Sequence, residues 1–380
     1  MRNATILSIP LVCLCASWAY PLEQAPTAGY PLKAVPINKV KLEDDFWSPR
    51  LKTHVDVTIP HVLQQLEVAG WRNGLALVRA LEGAGYCLRM GPNPNLERRV
   101  DEIVSSVVIA GYSETNRFFA FPEASVAYYW ATGKDAWLKI SEKSALLDKQ
   151  EYFDDKGQPI KEPPGHGGTQ FGLCRLYQGT GKGIYLDLAK RFMDARGMPA
   201  TGQRTWPKFA AQHRPVAELC EPGGHAGSFG WFASSLVDVG ALTGDPKYGE
   251  AAKRIWQNLV DTRICITGGC GAVSRWEGFG EPYAIGRGGI TKPGRLGTGV
   301  LQPSLVSVDQ GRQVLRCDGG GIVQRSSVGS EYQWRQVLLR QSPRVRRPAG
   351  SIAHAEGSLL SWQYLPYDSP GSVVFVRPYG

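Results

Sequence analysis

An apolar helical stretch that runs into Thr-Gly, a short polar turn and then an aromatic residue recurs along this chain. VAYYWATGKDAWLKISEK starts at Val126, LCRLYQGTGKGIYLDLAKRF at Leu173 and LVDVGALTGDPKYGEAAKRIW at Leu236. The Thr-Gly pairs are Thr132-Gly133, Thr180-Gly181 and Thr243-Gly244, and the aromatics that open the next helix are Trp137, Tyr185 and Tyr248. A glycine just past a helix end can adopt the left-handed conformation that closes it, and the polar residues after it allow a tight turn between antiparallel helices. Behind the third corner, Tyr248, Ala252, Ile255, Trp256 and Leu259 fall on one helical face. Repeated helical hairpins must bury their apolar faces on one another, and a closed ring is one stable solution. Because the spacing is irregular, an enzyme-type toroid is expected rather than a uniform solenoid, with an open helical array as the alternative.

Loops that join the helices of such a ring gather at one end, and here they carry the polar chemistry. EPPGHGGTQ (162–170) holds His166, and AAQHRPVAELCEPGGHAG (210–227) holds His213 and His225. ITGGCGAVSRWEGFGEPY (266–283) places Glu277 between Trp276 and Phe279. A single histidine is more often structural than functional. Three histidines and a ring-flanked glutamate, each at or just before an expected helix start, form a candidate site. A carboxyl kept partly dry by aromatic rings has a raised pKa and can donate a proton near neutral pH.

Shorter motifs fail on inspection. GTGKG (179–183) lacks the leading glycine of a phosphate loop and has no Ser or Thr after Lys182. AGSFG around Ser228 has alanine at its first position and a helical context, which argues against a serine esterase. GHGGTQFG has Gln170 where a dinucleotide loop needs its third glycine.

The residues at this point resemble glycoside hydrolase family 127, whose members include β-L-arabinofuranosidases. VKLEDDFWSPRLKTHVDVTIPHVLQQLE (40–67) looks like the start of its catalytic domain, and residues 163–197 are similar to its PGH helix. Residues 210–248 resemble its H-x-PV-x-E … GHAVR segment, and ITGG … GFGEPY resembles its ITGG … GEAFG-x-x-Y stretch. The resemblance implies an all-α (α/α)6 barrel. It further implies Glu277 as general acid/base, His166 and His225 as sugar-binding residues, and a glycan containing arabinofuranose as substrate.

The family's nucleophile is a cysteine thiolate on a zinc ion, with ligands from a Glu-x-Cys motif and a later Cys-Cys pair. After Tyr283 this chain has neither, and Cys317 stands alone. NRFFAFP replaces a His-containing helix, and GHAGS departs from GHAVR. Zinc is therefore expected in the family with its ligands missing here. Either the chain is an impaired glycosidase or it is a non-catalytic carbohydrate-binding remnant.

Charge and composition set the tail apart. Of the formal net charge of +9, residues 286–380 supply +7, from eleven Arg and one Lys against five acids. That tail has no interleaved aromatic pattern, so no nucleic-acid partner is read from its basicity. It also loses the helix-corner repeat. A divergent domain, a pseudo-enzyme and a reading-frame error after about residue 285 would each account for it, and composition favours the last. At the other end, a basic start, an apolar run and Ser17-Trp18-Ala19 fit a secretory signal peptide. The expected organisation is a signal over 1–19, an incomplete toroid over 38–285 and an anomalous tail over 286–380. The mature chain is expected to be secreted or periplasmic, with no membrane span. No C-x-x-C pair occurs, and Cys174, within an apolar helix pattern, is expected as a buried free thiol.

Overall fold

The computed structural model describes residues 29–30, 36–115, 117, 120–162, 167–198, 214–263, 272–273, 278–279, 282, 316–318, 321–323 and 377–378. Its body is helical, in agreement with the all-α toroid expected from the sequence. Trp47–Thr53 (α1) passes through a π-helical turn, His54–Thr58, into Ile59–Val68 (α2). Gly74–Met90 (α3) and Pro94–Ile103 (α4) follow. Three hairpins come next. They are Pro122–Thr132 (α5) with Ala136–Tyr152 (α6), Gly168–Thr180 (α7) with Gly183–Asp194 (α8), and Ala226–Thr243 (α9) with Pro246–Thr262 (α10). Helices α3, α5, α7 and α9 pack each on the next as an inner layer, while α6, α8 and α10 lie outside their hairpin partners.

The Thr-Gly corners repeat in atomic detail. Gly133, Gly181 and Gly244 have φ of 73°, 69° and 75°, the left-handed region that glycine enters without a Cβ penalty. Each glycine N–H donates to the carbonyl four residues back, at 2.8, 2.7 and 3.0 Å. Each threonine hydroxyl donates into its own helix, to the carbonyls of Tyr128, Leu176 and Val239. The same hydroxyl then accepts the N–H of Lys134, Lys182 or Asp245 beyond the glycine. Threonine thus gives an acceptor to an N–H at the approach to the next helix, where N–H groups lack intrahelical partners.

The corner aromatics are buried as the pattern predicts: Trp137, Tyr185 and Tyr248 all lie in the core. Complete burial of one such side chain contributes about 1.5–3 kcal/mol. One apolar cluster spans α5 to α10 and a second spans α2 to α6. Cys174 is buried as expected, as is Cys87. Short strands are peripheral. Val40–Lys41 (β1) pairs antiparallel with Arg377–Pro378, and Arg316–Asp318 forms a hairpin with Gly321–Val323. Among the described residues no helix is long and apolar enough to cross a membrane.

Candidate functional site

The inner helices begin next to the segments that carry the candidate residues. Helix α9 starts at Ala226, directly after His225, and α7 starts at Gly168, two positions after His166 in the chain. Gly167, before α7, has backbone and Cβ atoms of Phe232 within 2.4–2.5 Å of where its own Cβ would stand. The glycine after His166 is therefore what lets the start of α7 press against α9.

His225 is half-buried, and its backbone forms an antiparallel bridge with Gly278. The Phe279 N–H donates to the Gly224 carbonyl at 3.1 Å. Gly278–Phe279 also pairs with Ala272–Val273, so these two short strands lie together against the start of α9. The Phe279 ring meets Phe229 edge-to-face at 5.2 Å and packs beside Ala226, Trp256 and Leu259. Two segments distant in sequence, one ending in His225 and the other following Glu277, thus meet through backbone hydrogen bonds. Of the expected site residues, His225 is placed. His166, His213 and Glu277 lie outside the described residues.

Sequence reasoning missed a charged cluster toward the starts of the inner helices. Arg79 of α3 pairs with Glu82 at 2.7 Å and lies 4.0 Å from Glu123 Oε1 of α5. Its guanidinium sits over Phe121 at 4.5 Å and over Trp231 of α9 at 4.6 Å, which joins three inner helices through one side chain. Glu123 is 3% exposed, and its Oε1 has no hydrogen-bond partner. Burial pushes its carboxyl up to about 7, against the pull of Arg79. The signal was present as charges within two otherwise largely apolar helical segments, Arg79 and Glu82 in ALVRALE and Glu123 in PEASVAYYW. Gln170, in the first turn of α7, is also fully buried, with both amide atoms unpartnered.

Among the described residues no three His, Cys, Asp or Glu side chains gather to hold a metal. Cys87 and Cys174 are each buried singly, and Cys220 is exposed. The stretch after Glu277, where the family resemblance implies the zinc ligands, lies mostly outside the described residues.

Comparison with known proteins finds similarity to the same family. Residues 120–291 match the family model described as beta-L-arabinofuranosidase, GH127 catalytic domain. A curated non-reducing end beta-L-arabinofuranosidase of Bifidobacterium longum is 27% identical over 250 residues, which is 54% of this chain and 38% of that protein. A solved GH127 beta-arabinofuranosidase superposes with a TM-score of 0.65 at 28% identity, covering 74% of this chain and 52% of its own. The GH127 beta-L-arabinofuranosidase of Geobacillus stearothermophilus shares the fold, with a TM-score of 0.53 at 24% identity over 64% and 48% of the two chains. This chain spans about half, or less, of the length of these relatives.

Proposed function

Since the chain carries a GH127-like domain, we propose that it is an exported, glycosidase-like protein that recognises arabinofuranose-containing glycans. The observation that carries this reading is the bridge between His225 and Gly278, which ties a candidate sugar-binding segment to the residue after the candidate acid. In this reading His166 and His225 hold ring hydroxyls, and Glu277 protonates the leaving glycosidic oxygen.

Retaining cleavage also needs a nucleophile on the opposite face of the sugar. The sequence after Tyr283 offers neither Glu-x-Cys nor Cys-Cys, and no step is routed through a metal. General acid assistance alone supplies roughly a hundred- to ten-thousand-fold, far below the acceleration that stable glycosides require. The chain accordingly binds its sugar and turns it over poorly. The test is release of the aryl group from an aryl β-L-arabinofuranoside, with zinc supplied. The expected result is slow release, at most about ten-thousand-fold above the uncatalysed rate, and slower still in Glu277→Gln. Robust turnover that Glu277→Gln abolishes would contradict the impairment.

A further inference from the structure

Gly29 and Tyr30 precede every described helix in sequence, yet they are bound among the inner ones. Tyr30 donates its phenol to Asp238 Oδ1 of α9 at 2.7 Å, across 208 positions of chain. Gly29 has a φ of 89°, and a Cβ there would stand 1.7 Å from the carbonyl oxygen of Ala241. A side chain at position 29 would therefore be barred by both conformation and space. The groups that face Tyr30 and Asp238 come from the neighbouring inner helices. They are Cys174 and Arg175 of α7, with Tyr86 of α3 alongside Arg175.

Asp238 and Ala241 lie further along α9 than Trp231, and Tyr86 further along α3 than Arg79, while Arg175 in the middle of α7 also acts on Glu123. Asp238 is 3% exposed, and its Oδ2 has no hydrogen-bond partner. Withdrawal of the Tyr30 hydroxyl would strip a buried carboxylate of this donor, so water must enter to replace it. Cys174, which shares the layer, has no exposed surface.

We propose that residues 29–30 form a strap that plugs the far end of the helical ring, opposite the inner-helix starts, and that its release admits water to the Asp238–Cys174 layer. The device is Gly29 and Tyr30, held by the phenol's hydrogen bond to Asp238 and by the tight seat of Gly29 against Ala241. Such a short element opens locally without unfolding the helices it covers. The proposal stands whether or not the chain binds sugar.

Alkylation of each cysteine by iodoacetamide in the full chain, followed by mass spectrometry, tests it directly. Cys220 is exposed and reports full reactivity, while Cys87, buried in the other apolar cluster, reports global opening. Tyr30→Ala is expected to speed labelling of Cys174 about tenfold or more, with Cys87 unchanged. Tyr30→Phe, which keeps the ring, gives a smaller acceleration of Cys174 alone and serves if the alanine variant does not fold. Equal protection of Cys174 in all three proteins would overturn the plug. So would parallel acceleration of Cys174 and Cys87, which would mean that Tyr30 stabilises the whole fold rather than sealing one end.

Discussion

Tyr248 donates its phenol to Asp194 Oδ1 at 2.5 Å, and Lys247 Nζ reaches the same oxygen at 2.9 Å. The start of α10 is thereby fastened to the last residue of α8. Lys182 and Tyr185 share Glu142 of α6 in the same way. At the first corner Lys134 shares Asp101 of α4 with Tyr128. The lysine after each Thr-Gly corner thus grips an acid on the preceding outer helix, and the repeat sets how successive hairpins turn around the ring.

Asp194→Ala should cost about 1–3 kcal/mol in chemical denaturation, because the buried Tyr248 hydroxyl loses its acceptor. Burial raises the Asp194 carboxyl, but hydrogen bonds from Lys190, Tyr248 and Lys247 outweigh it and hold the group below its ordinary value. A depressed carboxyl stabilises the fold above its unfolded-state pKa, and that stability is lost as pH falls through the folded-state value. The loss of stability in acid should be shallower in Asp194→Ala than in the parent.

Gly181→Ala and Gly183→Ala should move stability in opposite directions. At Gly181, φ is 69°, which costs a residue with a Cβ about 1–2 kcal/mol. Gly183 opens α8 with nothing within 4 Å of an added Cβ, so alanine there should be neutral or stabilising by about 0.4–1 kcal/mol. Thermal melts of the two variants decide it, and equal destabilisation would contradict the corner assignment.

The corners were legible because their chemistry is local. Thr132-Gly133, Thr180-Gly181 and Thr243-Gly244 each need a left-handed residue and a hydroxyl at fixed offsets, and both can be read from neighbouring letters. The buried aromatics Trp137, Tyr185 and Tyr248 follow from helical spacing. Arg79, Glu123 and Trp231 were not found, because their contact joins three helices and no local pattern records it. Tyr30 was hidden for the same reason, with its partner Asp238 most of a domain away. His225 was found by its motif, but its pairing with Gly278 is a tertiary backbone contact that only the folded chain displays.

Glu123→Gln should reduce a pH dependence in the neutral range. A carboxyl raised to about 7 by burial binds its proton more tightly in the folded state than in the unfolded one. The parent therefore loses stability as pH rises from the unfolded value near 4.5 to about 7, by up to about 3 kcal/mol. Glutamine mimics the protonated form and should reduce the slope across that window, leaving the part that other raised carboxyls, Asp148 and Asp238, contribute. Denaturation curves at pH 5 and pH 8 provide the comparison, and an unchanged pH slope would show that Glu123 is not the buried acid responsible.

Gly167→Ala should separate the starts of α7 and α9. Its Cβ would meet the Phe232 backbone nitrogen at 2.4 Å, a contact that no rotamer change relieves. A destabilisation of about 1–3 kcal/mol is expected. The hydrogen-exchange protection of the Phe279 amide, which is bonded to Gly224 at the start of α9, should also fall.

Isothermal titration with a methyl β-L-arabinofuranoside tests most directly whether this GH127-like domain recognises arabinofuranose. The account predicts saturable binding to the parent chain. It predicts binding about ten- to a hundredfold weaker for His225→Ala, whose Thr-Gly corners and melting cooperativity should be intact. Absence of binding by the folded parent chain, or binding indifferent to His225→Ala, would contradict it.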